Sequence, residues 1–143
     1  MYVDSILKHK GQDVVSAGPT DAIVETARLL NRHRIGAVVV RGADGQVVGI
    51  LSERDIVRGI AEKGPACLSL KVSDLMTREV VSCRPNDSID DIMALMTERR
   101  IRHLPVMQDG KVVGVISIGD VVKRRIAEIE SEASSLREYI ATG

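Results

Sequence analysis

Ser52 and Asp55 stand three residues apart, and the pair recurs as Ser117 and Asp120. Each pair directly follows a short apolar run with β-branched residues, Gly49-Ile50-Leu51 in one case and Gly114-Val115-Ile116 in the other. Ahead of a helix-like pattern, that order reads as strand, cap and helix. A Ser at the N-cap accepts a hydrogen bond from an orphaned backbone N–H, and an acid one turn in suits the positive end of the helix. Two readings follow. One is a capping box and nothing more. In the other, the N–H groups of the helix start meet an anion while the carboxylate accepts hydrogen bonds from a vicinal diol. Phosphate beside diol describes a nucleotide.

Other chemistries find little machinery in the chain. No nucleophile stands with a base, and no lysine-bearing phosphate loop is present. Cys67 and Cys83 are too few and too poorly spaced for a disulfide framework or a zinc site, and His9, His33 and His103 complete no ligand set, so no metal is expected. Lys+Arg and Asp+Glu are 20 each, and the resulting net charge of +0 argues against a protein that coats nucleic acid or an acidic membrane. Aromatic residues are two Tyr, with no Trp or Phe, so base-stacking platforms are missing and a bound adenine must be held by aliphatic faces. The start, Met1 to Ile6, lacks a signal peptide's basic and apolar runs, and no stretch approaches a membrane span; a cytoplasmic protein is expected.

The elements that position the two Ser/Asp pairs come from one unit of about sixty residues written twice. Asp13 to Ile23 is matched by Glu79 to Ile89, His33-Arg34-Ile35 by Arg99-Arg100-Ile101, and Asp44 to Gly49 by Asp109 to Gly114. The match begins earlier still, since Val3 to Leu7 resembles Val72 to Met76. Within each unit an apolar pair (Val14-Val15; Val80-Val81) precedes Pro-x-Asp, which is helix-opening chemistry. Ile23, Ala27 and Leu30, and then Ile89, Ile92, Met93 and Met96, recur at helical spacing. Gly36 to Val40 and Leu104 to Met107 read as strands, with Pro105 expected at an edge or a strand start because it cannot donate to a ladder. Asp44-Gly45 and Asp109-Gly110 are hairpin turns leading into the strands that end at Ser52 and Ser117.

Each unit is therefore strand, helix, strand, strand, helix: an α+β or α/β arrangement with a small three-stranded sheet covered by two helices. Such a unit has too thin a core to stand alone, whereas two packed face to face bury both. The expected boundaries are 3–62 for the first unit, 63–71 for a linker carrying Gly64-Pro65, 72–128 for the second unit and 129–143 for a C-terminal helical extension. That extension continues an apolar seam, Val122, Ile126, Ile129, Ala133, Leu136 and Ile140, and should fold back on its own or a partner subunit's body rather than form a free coiled coil.

Tandem units with Pro-x-Asp, an Asp-Gly hairpin and Gly-x-x-Ser-x-x-Asp resemble the cystathionine β-synthase (CBS) domain pair, also called a Bateman module, over about residues 3 to 128. Arg100 to Val106 resembles that family's second-strand segment, and the acidic last helix looks like its small stand-alone bacterial members. The resemblance implies a regulatory module with two clefts for adenosine-containing ligands, AMP and NAD foremost, and an association into homodimers. Carried over by position, Asp55 and Asp120 would hold ribose hydroxyls, while Ser52 and Ser117 with the following N–H groups would face phosphate. Val15, Ile35, Ile50, Val81, Ile101, Pro105 and Val115 would contact adenine. The copies differ at Arg102 and His103, which stand where the first unit has Gly36 and Ala37, and at Ile118-Gly119, which replace Glu53-Arg54. Arg stays charged and bonds phosphate bidentately, so Arg54 and Arg102 are phosphate candidates, with His103 a weaker one. Unlike clefts need not take the same ligand.

Three functions compete on this reading. A non-catalytic adenine-nucleotide sensor acting on an unidentified regulated protein leads. A nucleotide hydrolase would use Asp55 or Asp120 as base, but acids at helix starts should stay ionised and well solvated. An interaction or DNA-associated protein would rest on the basic run at Arg99 to Arg102 and on the C-terminal seam.

Overall fold

The computed structural model describes residues 1–11 and 13–142; Gly143, the last residue of the expected extension, lies outside them. The chain is mixed α+β. Its first half runs α1 (Val3–Lys10), β1 (Ser16–Ala17), α2 (Ile23–His33), β2 (Ala37–Arg41), β3 (Val47–Ser52) and α3 (Glu53–Lys63). A 3-10 helix (Gly64–Ser69) then leads to α4 (Val72–Leu75), α5 (Ile89–Arg99), β4 (His103–Gln108), β5 (Lys111–Ser117) and α6 (Ile118–Thr142).

The matching lead-in helices are exchanged between the two cores. Val3, Ile6 and Leu7 form one stripe of α1 and are buried with Ile89, Ile92 and Met96 of α5 and Leu104 and Ile116 of the second sheet. Val72 and Met76 at α4, with Cys67 of the 3-10 helix, are buried with Ile23, Leu30, Val38 and Leu51 of the first half. Backbone hydrogen bonds repeat the exchange: the Val3 and Asp4 N–H groups donate to Asp87 and Pro85 at 3.0 and 2.9 Å, and those of Val72 and Ser73 donate to Asp21 and Pro19 at 2.8 and 2.9 Å. Each core is thus completed by a helix from the other half, which ties the two together. The stretch expected as a linker is packed, with Cys67 fully buried.

The helix-opening acids do different work from that expected. Asp21 and Asp87 accept the N–H groups of Gly18 and Arg84, each at 2.8 Å, and so fix the turn ahead of α2 and α5. The N-caps themselves are Ala22 and Ser88. Both helices end on an Arg in the left-handed conformation, Arg34 and Arg100, which turns the chain into β2 and β4.

The first sheet has three strands in the order β1-β2-β3, but the second has only two, β4-β5, against the three expected. The first strand also starts later than the apolar pair, at Ser16 rather than Val14. In the second half, Cys83 forms an isolated bridge to Val106, giving and receiving one hydrogen bond with Pro105 and Met107 at 3.0 and 2.8 Å. Pro105 is the reason. As expected it lies at a sheet edge: β4 borders the two-stranded sheet, and Pro105, two residues past its start, turns its carbonyl away from β5 toward Cys83. Its missing N–H is therefore the donor that would have extended that pairing back toward Val81.

The Asp109-Gly110 hairpin has positive φ at both residues, 53° and 75°, and joins β4 directly to β5. The last helix does not fold back on its own body. α6 is one continuous 25-residue element whose residues 134–142 are all exposed.

Candidate functional site

Two clefts lie between the halves, and each is built crosswise. The larger, of about 860 Å³, takes Val15, Ile35, Gly36 and Ala37 from the first half and Val115, Ser117 and Asp120 from the second. The smaller, of about 200 Å³, takes Ile50, Ser52, Arg54 and Asp55 from the first half and Val81, Ile101 and Arg102 from the second. His103 stands in the wall of both. An acid from one unit is thus paired with an aliphatic wall from the other. Pro105, expected at the adenine, is buried within β4 and is not among the described residues that line either cleft.

Both Ser/Asp pairs form capping boxes. The Ser52 N–H donates to Asp55 Oδ2 at 2.9 Å while the Asp55 N–H donates to Ser52 Oγ at 3.3 Å. The Ser117 N–H donates to Asp120 Oδ2 at 2.9 Å, and the Asp120 N–H donates to Ser117 Oγ at 3.1 Å. The first N–H of each helix is also spent, Glu53 on the Gly36 carbonyl and Ile118 on the Arg102 carbonyl, both at 2.8 Å. Caps and strand ends therefore consume most of the donors that an anion would need, and charged side chains must supply the remainder.

The two acids differ in what they leave available. Asp55 is only 6 % exposed, with Oδ2 on the Ser52 N–H and hydroxyl and Oδ1 3.4 Å from an Arg58 guanidinium nitrogen, so it is not the well-solvated carboxylate that a helix start suggested. Asp120 is 27 % exposed, and its Oδ2 takes the Lys10 ammonium at 2.7 Å as well as the Ser117 N–H. Burial pushes its carboxyl up, but the Lys10 and Ser117 hydrogen bonds outweigh that and hold it below the usual carboxylate range. Among the described residues no donor reaches Asp120 Oδ1, which keeps lone pairs for a ligand.

The strand edges differ too. Ile50 gives its N–H to the Thr77 carbonyl at 3.0 Å and accepts the Thr77 N–H at 2.9 Å, so its backbone is closed to an adenine edge. The Val115 carbonyl instead faces the larger cleft and, among the described residues, accepts the Lys10 ammonium at 2.8 Å. Charge is unequal in the same sense: Arg54, Arg58, Arg100 and Arg102 outnumber Asp55 and Glu79 around the smaller cleft, whereas Asp13, Glu53 and Asp120 outnumber Lys10 and Arg34 around the larger.

His103 depends on the glycine opposite. A Cβ on Gly36 would lie 2.9 Å from His103 Nε2 and 3.3 Å from Glu53 Oε1, so the imidazole packs where a side chain would otherwise be. Burial draws its pKa down, and nearby Glu53 opposes the shift. Sequence reading missed Lys10, Glu53, Thr77 and Glu79 as wall residues. The match of Asp13 with Glu79, which stand in the larger and smaller cleft respectively, was the available signal for the acids; nothing in the repeat marked Lys10 or Thr77.

Among the described residues no group of three or more His, Cys, Asp or Glu side chains is arranged to hold a metal, and no helix is long and apolar enough to cross a membrane.

The CBS domain family model matches residues 5–62 and 72–127. The CBS domain-containing protein CBSX3 of Arabidopsis thaliana is 34 % identical over 149 aligned residues, covering 99 % of this chain and 72 % of its own. The crystal structure of a CBS-domain protein from Agrobacterium tumefaciens superposes with a TM-score of 0.85 at 50 % identity, covering 87 % of this chain and 92 % of its own. The CBS domain pair of protein MJ0100, solved in complex with 5′-methylthioadenosine and S-adenosyl-L-methionine, superposes at 0.76 with 25 % identity over 86 % of this chain and 98 % of its own.

Proposed function

This chain belongs to the CBS domain family, and from that premise we propose that it is a non-catalytic regulatory module whose two clefts bind adenosine-containing ligands, AMP or NAD among them. The observation that carries the reading is the larger cleft, where Asp120 and the Val115 carbonyl face the aliphatic residues Val15 and Ile35. A carboxylate oxygen with spare lone pairs suits a ribose diol, a strand carbonyl suits the adenine amino group, and Val and Ile faces suit the ring in a chain almost without aromatics. The solved MJ0100 pair, with two adenosine derivatives bound, supports this ligand class.

The smaller cleft, with its four arginines, is the better match for phosphate, through Arg54 and Arg102 foremost. Asp55, buried and engaged by its cap, contributes less to sugar binding than Asp120. Ser52 and Ser117 act through the caps that fix these acids, and His103 joins the two sites. The module signals to a regulated protein by favouring one packing of the halves over another, in proportion to a ligand's differential affinity. It acts as a homodimer through the exposed seam of α6.

Thermal shift with AMP, ATP and NAD tests the reading. A rise in melting temperature that grows with ligand concentration is expected, and Asp120→Ala should remove most of the rise belonging to the larger cleft. No rise with any of the three, and no small molecule released on denaturing the purified protein, would remove the proposal.

A further inference from the structure

The Lys10 ammonium bridges two acceptors of the larger cleft, the Val115 carbonyl at 2.8 Å and Asp120 Oδ2 at 2.7 Å. These are the groups to which adenosine would present its donors, the adenine amino hydrogens and a ribose hydroxyl. A lysine is chemically able to stand in for both, since it carries three N–H donors and no acceptor. We propose that Lys10 is a resident occupant of the larger cleft, a latch that competes with adenosine and must leave before the ligand seats. The proposal rests on the assignment of that cleft to adenosine ligands and adds what controls entry to it.

Three features make the latch specific to this side of the molecule. Lys10 is the last residue of α1, the helix that leaves the first half to complete the second core, so its side chain reaches across to β5 and α6. Gly11 follows at φ +91°, a Cβ there would meet nothing within 4 Å, and the Lys10 side chain is itself 36 % exposed, so the lysine has room to swing away. Among the described residues no lysine lines the smaller cleft; Glu79, the counterpart of Asp13, stands in its wall, and the Ile50 carbonyl there is closed by Thr77 main chain. One cleft is gated by a movable cation and the other by fixed backbone. Occupation of the larger cleft would therefore release the end of α1, so a ligand that seats there alters how the N-terminal helix is tied to the second half.

Competition sets the sign of the test. A ligand that binds only the open form has its apparent affinity reduced by the fraction of molecules that are open, so removing the latch must tighten binding. Adenosine is the probe because it has no phosphate for a displaced lysine to follow. By isothermal titration, Lys10→Met, which keeps the apolar stem, should bind adenosine about tenfold more tightly than the wild type. Lys10→Arg, which keeps the donors, should stay near it. Placing Lys10→Met on an Asp120→Asn background should abolish the gain if the cleft is the one named. Amine acylation mapped by mass spectrometry reads the latch independently of affinity: Lys10 should react faster when adenosine is saturating. Equal or weaker adenosine binding by Lys10→Met, or slower acylation with adenosine present, would overturn the latch while leaving the ligand class intact. No binding of adenosine, AMP or NAD to any variant would instead remove the ligand assignment, and the latch with it.

Discussion

Leu7 of α1 packs against Gly114 of β5 so closely that a Cβ on the glycine would fall 2.5 Å from Leu7 Cδ2. The contact joins the first turns of the chain to the last strand, and it is possible only because α1 leaves its own half to complete the second core. Leu7 is 3 % exposed, so Leu7→Ala should lower unfolding stability by about 2–4 kcal/mol in urea denaturation. Gly114→Ala should also destabilise, by forcing that leucine aside. Combining the two should cost less than the sum, because the shortened side chain makes room for the new methyl. Strictly additive losses would mean that the contact is loose in solution.

The doubling of the unit, its α+β character and the two Ser/Asp pairs were legible because they depend on local signals: period, Pro-x-Asp, Asp-Gly, and Ser three residues before Asp; the crosswise pairing of each acid with the other unit's aliphatic wall was not. Nor was the exchange of α1 and α4. Val3 and Val72 were visibly alike, but nothing local distinguishes a helix that packs on its own half from one that packs on the other; that choice is made by which core has the open side. Lys10 was overlooked for the same reason. The absent third strand of the second sheet was half-legible, since Pro105 announced a missing donor but not the side of the strand on which it would be missed. The capping boxes were read correctly as one of two alternatives. What they leave for a ligand depends on third partners, Lys10 at Asp120 and Arg58 at Asp55, that no spacing rule connects to them.

His103 makes stability depend on pH. Burial lowers its pKa below 6.5, against the pull of Glu53, with Lys10, Asp120 and Arg102 also acting on it. An unfolded chain takes up the proton more readily than the folded one, so the stabilisation is complete above about 6.5 and is lost as pH falls through the folded value. The melting temperature should drop between pH 7.5 and pH 5.5, and His103→Gln should flatten part of that drop. A melting temperature that rises on acidification in the wild type alone would mean that Glu53 outweighs burial.

Cys83 should be inert in the native protein. Burial, reinforced by the Asp87 charge, pushes its thiol up to about 12. Very little thiolate then forms near neutral pH, and the residue is only 3 % exposed besides. Iodoacetamide should leave Cys83 unmodified over hours without denaturant and alkylate it within minutes in urea, as read by intact mass. Ready modification under native conditions would mean that the Cys83 to Val106 bridge opens frequently.

The seam of α6 is the surface on which self-association should depend. Ile126 is 51 % exposed, Leu136 59 % and Ile140 69 %, and they lie with Val122 and Ile129 at steps of four and three along a helix about 37 Å long. Charge gives the arrangement a direction. Lys123, Arg124 and Arg125 lie together near the start of the helix, while Glu128, Glu130, Glu132 and Glu138 follow, with Arg137 the one basic residue among them. Two copies laid parallel would oppose like charges, and two laid antiparallel would oppose unlike ones. Ile129→Glu, near the middle of the seam, should therefore convert a dimer to a monomer in light scattering coupled to size exclusion, while melting temperature stays close to that of the wild type because the residue is half exposed in the single chain. Lys123→Glu with Arg124→Glu should weaken the dimer in low salt and much less in high salt, since exposed charge pairs are screened. A dimer that survives Ile129→Glu unchanged would move the interface to another face, such as the one carrying Val57 and Ile60 of α3, which are also exposed.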